Sequence, residues 1–294
     1  MQLRHIEIFH AVYLNGTVSA AARALNISQP SVTQTLRHAE QQLGFSLFAR
    51  QRNRLVPTAD AHSLFAEVSE IQARLAQLRL SSRNLLRGPG NTLRVSVLPS
   101  IALDLLPRAV ASFLAKRPGV FFDLQTVHHD ELSRRLHERE TDAVIASAVP
   151  RGLPLAQRWL GEAELGILYR KQDMPEAPPR IRLADLADRP FISMVHSGPL
   201  GELFSVEAAR LGVAFNDVAS ARTFFVAAGL VRAGVGLAVV DNFTASAVGD
   251  SALDFRPLRP PVAFDVFAIT LENQPPSTLM NEFFDEVAAL VAAP

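Results

Sequence analysis

The sequence predicts an α/β protein with an all-α-type winged helix-turn-helix N-terminal domain and a larger two-lobed body, and three observations carry that prediction. Residues 17–43, TVSAAARALNISQPSVTQTLRHAEQQL, hold two apolar stripes at helical period on either side of a break at Asn26-Ile27. Residues 59–87 contain neither Pro nor Gly and sustain one apolar seam. From Thr92 onward short apolar runs alternate with helical patterns, which is the mark of βαβ units and a parallel sheet.

Taken in order, Leu3, Ile6, Phe9 and Tyr13 space a first helix that Asn15-Gly16 ends as a C-cap. Thr17 is placed to cap a second helix striped by Val18, Ala21, Ala22 and Leu25, whose alanines let a neighbouring helix approach closely. Ser28 is a good N-cap for the third, and Pro30 falls in its first turn, where the missing N–H costs nothing. Val32, Leu36, Ala39 and Leu43 lie within about 60° of one another around that helix and form its buried face, so Gln34, Arg37 and Gln41 point away. Gly44 ends the element, and the Arg-rich turn that follows is of wing type: Arg50, Arg52 and Arg54 suit phosphates or a minor groove, as they also suit a solvated loop.

An outward face carrying Gln29, Ser31, Thr33, Gln34 and Arg37 matches base edges in a major groove, because amides and guanidinium pair bidentately with adenine and guanine. The same pattern fits the solvated side of an ordinary helical hairpin. Charge favours the first reading: residues 1–58 hold six arginines and no lysine against two glutamates, a net +4 in a chain that is neutral overall. Such asymmetry points to a polyanion as partner for the basic segment. At 294 residues and 48% hydrophobic, the chain has room for two or three domains with substantial cores. The absence of cysteine excludes a disulfide framework, a thiolate metal site and a thiol nucleophile, and agrees with a reducing cytoplasm. MQLRHIEIFH lacks the apolar core of a signal peptide, and no run approaches the ~18 apolar residues of a membrane span; the expectation is a soluble cytoplasmic protein with no membrane partner.

The order helix, alanine-rich helix, S-Q-P-S-V-T from Ser28, E-x-x-L-G-x-x-L-F-x-R from Glu40 to Arg50, and Pro57-Thr58 leading into another helix resembles the LysR-type transcriptional regulators over the first sixty residues. Two positions depart from that pattern. Ala39 stands where the family usually has Leu, leaving a smaller core residue, and Asp60-Ala61 replaces the usual Ala-Gly; neither removes a DNA contact. The resemblance implies a winged helix-turn-helix domain over 1–58, a linker helix for dimerisation with a hinge over 59–90, and a periplasmic-binding-protein-like effector domain over 91–294. It further implies double-stranded DNA with a two-fold operator as partner, a homodimer or homotetramer, a small-molecule effector, and RNA polymerase as a contact if the protein activates. Within 59–87, Leu64, Val68, Ile71, Leu75 and Leu78, with Leu85 further on, form an a/d-like seam on a helix of about 40 Å. That seam needs either a second copy or the rest of its own chain. Gly88-Pro89-Gly90-Asn91 then reads as a hinge.

The body begins with strands at 93–98, 120–127 and 142–146 and helices at 103–116, with Pro107 near its start or kinking it, and 131–138. A second lobe starts near Glu164, with strands at 165–169, 191–194 and 236–240 and helices at 200–211 and 223–233; strand 264–270 and helix 279–291 return to the first lobe. Lobe I is thus about 91–161 and 266–294, lobe II about 162–265, and two crossings make a hinged cleft. Ligands are expected at the carboxyl ends of the strands. Ser100 follows the first strand, Ser147 the third, His196-Ser197 follow Met194, and Thr223 opens a helix. Short hydroxyls and free N–H groups at helix N-termini suit a carboxylate, although each hydroxyl equally serves to cap its own helix. GLVRAGVGLAVVDNFTA from Gly229 is similar to the corresponding stretch of family members responding to lysine and to opines, which makes an amino acid or opine the expected effector.

No cofactor, metal or catalytic motif is found. Gly234-x-Gly236 lacks a third glycine and precedes a strand, so it reads as a tight turn instead of a dinucleotide site. His128-His129-Asp130-Glu131 has neither the i, i+4 histidines nor the glutamate placement of a zincin and reads as a polar loop. There is no G-x-S-x-G elbow. The alternatives to a non-enzymatic regulator are a small-molecule-binding receptor, or an α/β enzyme, whose N-terminal helices only mediate assembly.

Overall fold

The computed structural model describes residues 1–51, 54–85, 91–249 and 251–292. The chain forms two compact units, 1–87 and 88–294.

In the first unit the order is α1 (Leu3–Asn15), α2 (Val18–Ala24), α3 (Gln29–Leu43), a hairpin of β1 (Phe48–Gln51) and β2 (Arg54–Pro57), and α4 (Ala59–Leu85). The helix ends follow local chemistry. Thr17 and Ser28 accept the Ala20 and Ser31 N–H groups, and Gly16 and Gly44 close α1 and α3 at φ 68° and 81°, where a side chain would be strained. Glu40 explains its place in the motif, because its Oε1 accepts the Leu47 N–H at 2.7 Å and the Phe48 N–H at 3.2 Å, pinning the wing to α3. Thr58 does the same from the other side: its hydroxyl donates to Ser46 O and accepts the Ala61 N–H that opens α4. Ile8, Phe9, Val12, Ala21, Val32, Leu36, Leu47, Ala61 and Val68 form the core. The predicted face of α1 is off by a rotation, since Leu3 is 53% exposed while His5 and Ile8 are buried. His5 tolerates burial because its Nδ1 accepts the Gln2 N–H, whereas Leu3, in the first turn, has no helix to cover it.

The second unit begins with β3 (Thr92–Val97), α5 (Pro99–Leu103), α6 (Leu105–Lys116), β4 (Phe121–Thr126), α7 (Leu132–His137) and β5 (Ala143–Ala146). The single helix expected over 103–116 is two, because Asp104 leaves helical geometry at φ −130°; Pro107 then sits in the first turn of α6, where it breaks nothing. A long strand, β6 (Leu155–Arg170), follows, then β7 (Ile181–Arg182), β8 (Pro190–Ser193), α8 (Pro199–Arg210), β9 (Asn216–Ser220), α9 (Phe224–Arg232), β10 (Leu237–Asp241), α10 (Asn242–Ala247), β11 (Leu253–Arg259), β12 (Ala263–Leu271) and α11 (Thr278–Val291). β4, β3 and β5 are parallel, and β12 joins them antiparallel to β5. β6 pairs with β12 as far as Glu164 and from Leu165 onward with β10 and β11, so one strand serves both lobes. Beyond β10 lie β8 and β9, both parallel, and β11 also carries β7. Phe113, Phe122 and Phe283 lock α6 and α11 onto the first sheet with ring centroids 5.0–5.8 Å apart. Among the described residues no helix is long and apolar enough to cross a membrane.

Candidate DNA-reading face and effector cavity

In the first unit the outward face of α3 and the start of α1 border a groove of about 1160 Å³, lined by Gln29, Thr33, Gln34, Arg37 and His38 of α3 with Gln2, Arg4 and His5. Gln34 and Arg37 are exposed and make no hydrogen bond or ion pair among the described residues. Gln29 accepts from Ser19 Oγ of α2 at 3.1 Å, and Thr33 donates to Gln29 O of its own helix at 3.1 Å, so both side chains are pre-positioned. Ser31, half-buried, does not line the groove. The sequence reading passed over Arg4 and the histidines. Arg4 is held by Glu7 at 2.6 Å, and burial, then His38, holds His5 below the ordinary imidazole value. Arg50 and Arg54 have their backbones in β1 and β2; their side chains, and Arg52 altogether, lie outside the described residues, as do the hinge at 88–90 and the Leu85 side chain.

In the second unit all five residues expected to face an effector line one cavity of about 540 Å³: Ser100, Ser147, His196, Ser197 and Thr223. They arrive from both lobes, at the carboxyl ends of β3, β5 and β8 and at the cap of α9. Ser147 is buried and its Oγ has no hydrogen-bond partner, whereas the Ser197 hydroxyl donates to Met194 O at 2.7 Å and Thr223 Oγ1 accepts the Val226 N–H at 3.4 Å. So two of the hydroxyls also cap their own turns. Gly201 lets α8 start here: a Cβ on it would stand 2.1 Å from Met194 O and 2.5 Å from Ser197 Oγ.

Five further polar residues line the cavity: His128, His129 and Asp130, which the sequence presents as a polar loop, and Glu202 and Arg222, which it does not single out. The first three occupy the carboxyl end of β4, the one parallel strand of the first lobe to which the strand-end rule had not been applied. Burial lowers the His129 pKa against the opposing pull of Glu202 and Asp130, and its Nδ1 is buried without a partner. Arg222 is exposed and makes no ion pair among the described residues, which leaves it available to an anion. No group of three His, Asp or Glu among the described residues is arranged to hold a metal ion.

A basic helix-turn-helix unit with a wing, joined to a two-lobed α/β unit enclosing a polar cavity, defines a ligand-responsive DNA-binding protein. Residues 3–62 match the model of bacterial regulatory helix-turn-helix proteins of the lysR family, and residues 86–292 match the LysR substrate binding domain. The chain belongs to the LysR family: it is a DNA-binding transcriptional regulator with an effector-binding domain, not an enzyme. It is 35% identical to the HTH-type transcriptional regulator DgcR of Pseudoalteromonas sp, covering 98% of this chain and 99% of that one. It is 26% identical to the octopine catabolism/uptake operon regulatory protein OccR of Rhizobium meliloti, over 98% and 96% of the two chains. The fold matches full-length CbnR in complex with its target DNA with a TM-score of 0.77 at 21% identity, over 99% of this chain and all of that one.

Proposed function

We propose that this regulator reads a two-fold operator with Gln29, Ser31, Thr33, Gln34 and Arg37, anchors it through Arg50, Arg52 and Arg54, and takes a carboxylate-bearing effector of the amino-acid or opine class between its lobes. It acts in the cytoplasm as a homodimer or homotetramer and contacts RNA polymerase if it activates. The observation that carries the effector reading is the convergence of Ser100, Ser147, His196, Ser197 and Thr223 on one cavity, where Ser147 Oγ is buried without a partner and Arg222 is unpaired. Caps explain Ser197 and Thr223, both of the second lobe; they do not explain Ser100 and Ser147, which reach the same space from the first lobe. The likeness to an octopine regulator supports the same chemistry. An effector touching both lobes binds the closed cleft better than the open one, and that difference is all that can shift the regulator on DNA. In calorimetry of the full-length protein, a carboxylate of this class is expected to bind, and Ser147→Ala and Thr223→Ala each to weaken it about tenfold, the worth of one hydrogen bond. Binding untouched by both substitutions would place the site elsewhere.

A further inference from the structure

One side chain on the wall of the DNA-reading groove differs in kind from the amides and arginines around it. His38 stands on α3, four residues after Gln34 and one after Arg37; it is exposed and makes no hydrogen bond or ion pair among the described residues. Its ring meets that of His5 on α1, with centroids 5.1 Å apart and planes at 88°. This edge-to-face contact seats His38 where the two helices that border the groove come together.

The two imidazoles are not equivalent. His5 is 3% exposed, and its Nδ1 lone pair accepts the Gln2 N–H at 3.2 Å, closing the capping box that starts α1. A second proton on His5 would break that bond and bury a charge. Burial, then His38 and the amino terminus, accordingly hold its pKa below the ordinary imidazole value. His5 is a neutral support; His38, exposed and unbonded, is free of both constraints.

The charges around His38 suit an anion. From α1, Arg4 lines the same groove, held by Glu7 at 2.6 Å, and the amino terminus lies beside His5. From α3 comes Arg37. Glu40, two residues beyond His38, lies on the opposite side of α3, where its Oε1 is taken by the Leu47 and Phe48 N–H groups. An imidazolium here has cations for neighbours, and the negative charge that matches it comes from outside the chain.

We infer that His38 is a further DNA contact, giving an imidazolium N–H to a backbone phosphate beside the major groove and taking up a proton as it does so. This rests on α3 as the DNA-reading face and adds to that face a contact that depends on pH. The sign follows from reciprocity: a phosphate favours the protonated ring, so the protonated ring favours DNA, and affinity falls as pH rises. Imidazole changes charge between about pH 5 and 8, a range in which the arginines of the face and wing stay charged.

The test is fluorescence anisotropy of the full-length protein on a mixed-sequence duplex of about 30 base pairs, at about pH 6 and about pH 8 and across salt concentration, since a phosphate contact needs no particular sequence. The unsubstituted protein is expected to bind about threefold to tenfold more tightly at the lower pH, with a salt slope steeper by up to about 0.9 per subunit, the worth of one phosphate contact. His38→Gln keeps a hydrogen-bond donor without a charge and should show the weaker affinity at both pH values. His38→Arg keeps the charge throughout and should show the tighter affinity at both. An α-amino group also titrates in this range, but the amino terminus is intact in both variants, so their flat profiles assign the effect to His38. A flat profile in the unsubstituted protein overturns the inference, as does a pH dependence that survives in His38→Gln or a His38→Arg variant that binds no better than His38→Gln. Each of these leaves base reading by Gln34 and Arg37 standing, because that is measured as operator preference and not on a mixed-sequence duplex.

Discussion

Glutamate at both Ile71 and Leu75 is expected to yield a monomer whose operator affinity is about 10²–10⁴-fold lower, the usual worth of tethering two binding units. The structure divides the seam on α4 into two parts. Val68 is buried in the core of its own unit, with Leu64 and Phe65 packed beside it. Ile71 and Leu78, by contrast, are 39% and 66% exposed. The reading of 64–78 as one dimer seam is thus corrected in its first half, where the helix packs on its own chain, and stands as a proposal in its second. A second copy related by a two-fold axis would bury the remaining apolar positions, and a carboxylate at each cannot be buried without a partner charge. Sedimentation at micromolar concentration and fluorescence anisotropy on operator DNA check both halves of the expectation. Unsubstituted protein that sediments as a monomer would refute it, as would variant DNA affinity that stays unchanged.

Phe9→Ala is expected to cost about 3–5 kcal/mol, the range for removing a large buried aromatic ring. Phe9 is wholly buried, and the rings of Tyr13, Phe48 and Phe65 surround it at centroid distances of 5.9, 5.8 and 6.5 Å. One ring therefore joins α1, the wing strand β1 and α4, and Tyr13 stacked on Phe65 at 3.7 Å cannot close the space without breaking its own contact. In a small unit such a loss lowers the midpoint by about 12 °C or more. Scanning calorimetry of the full chain should show the transition of the DNA-reading unit falling by that amount, with DNA binding lost at the same temperature. A fall of only a few degrees would mean that the core closes around the gap.

What was legible in the sequence is what short-range chemistry decides. Thr17, Ser28, Gly16 and Gly44 mark helix ends because capping and left-handed closure involve only neighbouring residues. Ser100, Ser147, His196 and Thr223 came from a rule about strand ends, and the same rule extended to Val127 reaches His128, His129 and Asp130. The first half of β6 was missed because Ala156, Gln157 and Trp159 are exposed, while its partners on β12 lie about a hundred residues away. Pro257 concealed β11, although β7 pairs only with Leu258 and Arg259, so Pro257 has a ladder partner on the β6 side alone. Glu202 and Arg222 are charged residues beside helix starts, which read as solvated until the other lobe is placed opposite.

Base reading by α3 is tested most directly by the ratio of operator to scrambled-duplex affinity, followed across salt concentration in the unsubstituted protein and in Gln34→Ala and Arg37→Ala. Each substitution is expected to lower that ratio by about 1–3 kcal/mol, because a bidentate pair to a base edge is lost, while scrambled DNA binds nearly as before. Equal losses on both duplexes, or a ratio that does not move, would contradict the assignment of this face.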